Sequence, residues 1–480
     1  MAATNLLILM SDEHDPRYSG CYGHPQVQTP NIDWLAERGT RFETAYTPCP
    51  ICVPARASFA TGRPVHETRC WDNAHGYDGE ISGWGQRLIE TGHRVESIGK
   101  LHYKNADAPT GFSKQHQPMH LKQGVGTVWG AIKEPFANLP EPWRMFKKIG
   151  PGVSNYNLYD RKNATAACEW LKARAAAPDD KPWALYVGFV APHYPLMVPS
   201  RFFEMYPLAD IPLPKMHPRD GHKRHPWVET LDGVIGQDHF FADDNERKLA
   251  IAAYWGLCSF VDAEIGLVLD ALRESGFQEN TRVIYTSDHG DNLGARGLWG
   301  KSVLYEESTR IPLIAAGPDI PAGKVSQTPA TLLDIHPTAL NALGEDTRGP
   351  TEGDSLIDLA DAPDARDRLV ASEYHAMGAP TSSFMLRRGD WKYHYYEGYA
   401  PELFNMSSDP EEENDLAAAP EYKPVLDDFE KTLRKRVDTA AVDRRAKDDM
   451  AALINSYGGR EKAIDLGRTG STPVPGQAPE

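Results

Sequence analysis

Cysteine is scarce in this chain: six in 480 residues, at positions 21, 49, 52, 70, 168 and 258. They are too few and too scattered for a disulfide framework, and they do not supply the paired C-x-x-C units of a zinc site. Long apolar runs are missing too. The first, residues 6–10, stops after five residues, far short of the roughly 20 that span a bilayer. The opening residues carry no basic start and no signal-peptide cleavage pattern. Positive charge is in deficit, with 51 Lys and Arg against 67 Asp and Glu, a net charge of −16. That disfavours nucleic acid and anionic membranes as partners, but leaves anionic small molecules open, because a pocket can be basic on an acidic protein. There is no internal repeat and no low-complexity tract. The expectation is a cytoplasmic protein with reduced thiols.

What is present is ordinary globular composition, 41% hydrophobic and 25% charged, so disorder is not the default. The length exceeds one compact core, which predicts a large domain and a smaller one. Strand-like runs at 6–10, 95–98, 183–190, 283–286 and 313–316 alternate with helical patterns at 31–38, 159–176, 245–275 and 332–343. This alternation predicts an α/β fold, a large mixed, mostly parallel sheet sandwiched by helices, over residues 1–365. A Gly/Pro/Asp-rich link at 344–364 leads to a smaller C-terminal α+β unit over 366–457. There a hairpin joins 384–387 to 391–396 through Arg388-Gly389-Asp390, with helices at 421–437 and 442–454. Residues 458–480, with Thr472-Pro473-Val474-Pro475-Gly476, are expected to be an extended tail.

In sheets of this kind chemistry gathers beyond the carboxyl ends of the strands. Asp12 and Glu13 follow the first strand, and Asp288 and His289 follow the strand at 283–286. Three carboxylates and an imidazole suit a divalent cation, oxygen donors pointing to Ca²⁺ and the imidazole to Mn²⁺. The alternative for Asp288 is a strand-end cap. A second signal is Cys52-Val53-Pro54-Ala55-Arg56, followed by Thr61-Gly62-Arg63. Pro54 suits a first helical turn, placing Cys52 at a helix N-terminus where an anion is favoured, with Arg56 one turn on as an oxyanion partner. On this segment alone a buried structural cysteine is equally consistent.

Six segments in order break the tie. Asn5-Leu6-Leu7-Ile8-Leu9-Met10-Ser11-Asp12, the Cys52 motif, Gly99-Lys100-Leu101-His102, Pro192-His193-Tyr194-Pro195, Thr286-Ser287-Asp288-His289-Gly290 and Gly297-Leu298-Trp299-Gly300-Lys301 together resemble the sulfatase family of the alkaline phosphatase superfamily. The likeness runs from about Asn5 to Leu416. It implies that Cys52 is oxidised to formylglycine by a maturation enzyme and that Asp12, Glu13, Cys52, Asp288 and His289 hold one divalent ion, Mn²⁺ or Ca²⁺. Many members have Asn at the His289 position and Asp at the Glu13 position, which leaves the metal open.

The resemblance also implies roles for each residue. The hydrated aldehyde at position 52 attacks sulfur, with Asp288 as proton acceptor, while Lys100, Arg56 and Lys301 neutralise the sulfuryl oxygens. His193 and Lys301 serve the leaving oxygen, and His102 assists release of the sulfate from the nucleophile. Asn73 contacts a substrate oxygen, a turn asparagine being the alternative. Trp71, Tyr77 and Tyr103 line the organic half of the pocket or belong to the core. The implied activity is hydrolysis of small aryl or alkyl sulfate monoesters, with promiscuity toward phosphoesters and phosphonates, in a homo-oligomer. A phosphonate monoester hydrolase or phosphodiesterase with the same site is the rival. A non-catalytic binding protein is the reading from another class. Lys100 and His102 favour the sulfatase, since the phosphonate branch typically has hydroxyl residues there.

Overall fold

The computed structural model describes residues 2–137, 147–178, 181–466 and 472–476. Eight strands form the main sheet, in the spatial order Lys324–Ser326, Gly39–Phe42, Leu313–Ala316, Thr281–Ser287, Asn5–Asp12, Trp183–Pro192, Arg94–Lys100 and Lys114–Met119. The last five run parallel to one another. Leu313–Ala316 is antiparallel to both its neighbours, so the sheet is mixed and mostly parallel, as expected.

Asn5–Asp12 lies near the middle and is buried at every position, which is why it reads as a continuous apolar run. Its side chains divide between the two faces. Leu7 and Leu9 join the core formed with helices Asn155–Ala176 and Asp244–Glu274. Leu6, Ile8 and Met10 join the core formed with Cys52–Thr61, Trp84–Glu90 and Ile335–Ala342. Because the central strands are parallel, Asp12, Lys100 and Ser287 end on one edge of the sheet, and the next residues build the site.

Helix Asp244–Glu274 is long and apolar enough to cross a membrane by length and composition, contrary to the expectation that no later stretch is. However, 89% of its apolar window is buried inside the fold. It is a core helix, apolar because it is packed nearly all round.

The C-terminal unit is an antiparallel sheet of Val370–Tyr374, Ser383–Arg388, Trp391–Tyr396 and Glu402–Asn405. The expected hairpin is there, with Arg388 opposite Trp391 across a two-residue loop that Gly389 enters at φ +59°, a conformation glycine adopts at little cost. Helices Lys423–Arg436 and Thr439–Ser456 cover this sheet. Lys392, fully buried, ties the sheet to the main body through Glu306 at 2.9 Å and pairs within its own unit with Glu412 at 2.8 Å.

One local expectation gains detail and one is corrected. The link at 344–364 contains a short helix, Leu356–Asp361. The stretch from Gly458, expected extended, opens with helix Arg460–Leu466. Gly458 and Gly459, both with positive φ, end the preceding helix, and a run free of Gly and Pro then buries Ala463. Beyond that helix, 472–476 is non-helical, while 467–471 and 477–480 lie outside the described residues.

Candidate active site

Cys52 is the first residue of helix Cys52–Thr61 and is 1% exposed. The backbone N–H of Val53 in the first turn donates to Asn73 Oδ1 at 3.0 Å, so Asn73 satisfies one of the helix's free donors. Cys52 Sγ lies 3.2 Å from His289 Nε2 and 3.8 Å from Asp12 Oδ1. Burial and the neighbouring Asp12 push its thiol up to about 12. An unmodified Cys52 is therefore a neutral thiol at pH 7 and a poor nucleophile.

Ligand atoms of Asp12, Cys52, Asp288 and His289 all lie within 4.8 Å of one another, and all four residues are buried. His289 Nδ1 donates to the carbonyl of Gly290 at 3.0 Å. That fixes the tautomer and leaves the Nε2 lone pair facing the group, the arrangement of a metal-bound imidazole. Two carboxylates, an imidazole and the side chain at 52 fit a divalent cation. Glu13 is not in this group. It leaves the strand at φ +70°, and its carboxylate meets Lys301 Nζ at 3.0 Å and His193 Nε2 at 3.4 Å. With Asp12 and His193 it forms a second group of possible ligands, and its Oε1 is buried without a hydrogen-bond partner.

Positive charge surrounds the carboxylates. Lys100 Nζ is 2.7 Å from Asp12 Oδ2. Burial alone would raise the Asp12 carboxyl, but Lys100, His193, Arg56 and Lys301 hold it well below the usual range. Burial raises Glu13 well above its usual value despite Lys301, and raises its neighbour Asp291 to about 7. Burial, with Lys301 and Lys100 nearby, keeps His193 neutral. His193 Nδ1 donates to the Tyr194 carbonyl at 2.7 Å, which leaves Nε2 as the atom that can take or relay a proton.

Arg56 corrects an expectation. Its Nε donates to Asp288 Oδ2 and its Nη2 to Asp12 Oδ2, both at 2.8 Å. Its Nη1 donates to the Lys100 carbonyl and to Tyr186 Oη, both at 2.9 Å. The guanidinium is 1% exposed and is spent on holding two carboxylates apart and oriented, not on sulfuryl oxygens. It is a positioning residue, a task its planar fork suits.

Above these groups is a cavity lined by Cys52, Asn73, Lys100, His102, His193 and Lys301, which the structure brings together, with Tyr156, Tyr194, Trp299, Ile235, Met377 and Thr472 among its other walls. Trp71, Tyr77 and Tyr103 do not line it. Tyr77 and Tyr103 stack edge to face 5.0 Å apart and Trp71 packs on His375, so these aromatics are core. Sequence reasoning missed Tyr186 and Asp291, which brace the charged residues, and the cavity's own aromatics. Tyr194 alone carried a signal, as the variable residue of Pro192-His193-Tyr194-Pro195.

A mostly parallel α/β sheet with this donor group beyond its strand ends defines a hydrolase of the alkaline phosphatase superfamily. The chain belongs to the sulfatase family: the sulfatase profile matches residues 4–345, and the profile of the C-terminal part of N-sulphoglucosamine sulphohydrolase matches residues 294–439. It is a sulfate ester hydrolase. Among curated relatives it is 30% identical over 436 residues to choline-sulfatase of Rhizobium meliloti, covering 87% of this chain and 83% of that one. It is 29% identical over 468 residues to arylsulfatase K of Danio rerio, covering 92% and 85%. In fold it matches the phosphonate monoester hydrolase of Agrobacterium radiobacter, with a TM-score of 0.74 at 22% identity over 90% of this chain and 95% of that one.

Proposed function

We propose that this sulfatase hydrolyses small sulfate monoesters with an aryl or compact alkyl group, using Cys52 oxidised to formylglycine and one divalent ion, Mn²⁺ or Ca²⁺. The observation that carries this is the meeting of Asp12, Cys52, Asp288 and His289 within 4.8 Å, under a cavity walled by Lys100, His193 and Lys301. A thiol raised to about 12 is a poor nucleophile, whereas the geminal diol of a hydrated aldehyde offers one hydroxyl to attack sulfur and a second to expel the sulfate afterwards. Asp12, Asp288, His289 and the side chain at 52 would hold the ion, which would supply Lewis acidity to lower the pKa of the attacking hydroxyl.

This chain's residues do the rest. Asp288, oriented by Arg56, takes the attacking hydroxyl's proton. Lys100 and Lys301 offset charge developing on the sulfuryl oxygens. His193 Nε2, beside Glu13, relays a proton to the leaving oxygen, and His102 takes the proton of the second hydroxyl as the aldehyde re-forms. Tyr156, Tyr194, Trp299, Ile235 and Met377 give the organic group an aromatic and aliphatic setting. Phosphonate monoesters and phosphodiesters, similar to sulfate esters in size and geometry, are expected as slower substrates.

Six free cysteines support a reducing, cytoplasmic setting, and the net charge of −16 speaks against nucleic acid or membrane partners. A homo-oligomer and a formylglycine-generating partner enzyme complete the proposal. The test is the mass of the Cys52 peptide with turnover of 4-nitrophenyl sulfate and a phosphonate monoester by one preparation. A loss of about 18 Da with dominant sulfate turnover supports the reading. Dominant phosphonate turnover gives the site to the rival chemistry. An unmodified cysteine after co-expression with a maturation enzyme, with neither ester turned over, refutes it.

A further inference from the structure

The C-terminal segment reaches the catalytic cavity. Thr472 is one of its walls, beside Cys52, Lys100, His102 and His193. Thr472 Oγ1 is 2.8 Å from His102 Nε2, and the Thr472 carbonyl accepts from Tyr156 Oη at 2.5 Å. Two residues on, Val474 is 6% exposed and packs in a separate small cluster with Met119, Tyr156, Tyr159 and Val190. Tyr156 thus holds the segment through its hydroxyl at Thr472 and through its ring at Val474. Upstream, helix Arg460–Leu466 is fastened to the body by Arg460, which donates to the carbonyls of Pro135 at 2.5 Å and Phe136 at 3.0 Å.

The local sequence suits docking without secondary structure. Pro473 and Pro475 bias Thr472 and Val474 toward extended backbone and reduce the freedom lost when the segment settles. Gly476 has φ +79°, a conformation glycine adopts at little cost. With the segment in place, the space open to the centre of a water-sized sphere is about 50 Å³. A water needs roughly 10–15 Å³ by that measure, so only a few waters' worth of space is left beside Thr472.

We propose that residues 472–476 are a cap that selects substrates by size, admitting small sulfate monoesters and excluding sulfated saccharides, with Val474 as its anchor and Thr472 as its inner face. This rests on the reading of the cavity as the sulfate-ester site. Two variants test it. Val474→Asp places a carboxylate in the apolar cluster and undocks the segment while keeping Thr472, and a chain ended after Leu466 removes it. For each, kcat/KM is measured on 4-nitrophenyl sulfate and on a sulfated disaccharide, with thermal melts to confirm the fold. The expected result is at least a tenfold rise in the disaccharide-to-aryl ratio in both variants. A ratio that moves less than about threefold while the melts hold overturns the proposal.

A second measurement is independent of turnover. In protein made without the maturation enzyme, the rate at which a bulky maleimide labels Cys52 is read from the mass of its peptide. Labelling should rise at least tenfold in both variants, and an unchanged rate overturns the cap. Faster labelling with no sulfate ester hydrolysed by any form of the mature enzyme sustains the cap and rejects the substrate reading instead.

Discussion

Replacing Arg56 by methionine tests the electrostatic design of the site most directly. The guanidinium sits between Asp12 and Asp288, all three at most 1% exposed. Removing it deletes two charge-assisted hydrogen bonds, each worth about 1.5–3 kcal/mol, and leaves two buried carboxylates facing each other. Breaking a buried ion pair from one side costs about 3–5 kcal/mol, so that is the expected loss in metal-free enzyme. An unfolding entropy of about 2.1 cal/mol/K per residue, over 480 residues, amounts to about 1 kcal/mol/K. The melting temperature in chelator should therefore fall by about 3–5 °C. Saturating Mn²⁺ or Ca²⁺ should recover much of this, because the ion supplies positive charge to the same carboxylates. Activity should stay about 10²- to 10³-fold down even with metal, since Asp288 is no longer oriented. Arg56→Lys should lie between, because an ammonium cannot reach both carboxylates as a fork does. The assay is calorimetry with and without metal, beside kcat/KM for an aryl sulfate. A metal-free melting temperature within about 1 °C of the parent would refute the reasoning, as would a deficit that metal leaves unchanged.

Three other perturbations have outcomes set by the same structure. Lys392→Met strands Glu306 and Glu412 without their buried cation and should cost about 3–5 kcal/mol, with partial rescue when both glutamates become glutamine, read by thermal melts. His336 is 2% exposed and neither ring nitrogen has a partner; burial, then Arg87 and Arg63, push it down to about 3. Both states leave it neutral above about pH 6.5, and below that the unfolded chain takes the proton first, so stability falls with pH until about 3. His336→Leu should narrow the gap in unfolding free energy between pH 7.5 and pH 4.5 by about 2–3 kcal/mol in denaturant titrations; an unchanged gap would count against the assignment. Asn73→Ala should lower stability by about 0.5–2 kcal/mol through the lost bond to Val53 N–H, and kcat/KM by about tenfold if the amide also meets substrate; unchanged kinetics would leave Asn73 a helix cap alone.

The sheet and its parallel character were legible because strands buried on both faces must be uniformly apolar, as at residues 5–12. Helix Cys52–Thr61 was legible from Pro54 and the alanines behind it. The short strands Gly39–Phe42, Lys114–Met119 and Lys324–Ser326 were not. They lie toward the two sides of the sheet, where pairing partners rather than local pattern decide the backbone. The aromatics near Asn73 stayed open between pocket and core for a related reason, and the structure places them in the core: a tyrosine in sequence does not say whether its ring faces a cavity or a neighbour's ring.

The sequence by itself placed Asp12 and Asp288 together at strand ends and Cys52 at a helix start, while the resemblance to the sulfatase family, not local pattern, assigned Cys52 and Lys100 to the same site. The strand-end positions follow from local backbone rules and the parallel topology. The tertiary structure decided what each group does. It turned Arg56 inward onto two carboxylates, drew Glu13 to Lys301, and brought Thr472 to His102 from 370 positions away. Charge pairing in a buried space depends on distances that only the packed fold sets, and no local spacing encodes them.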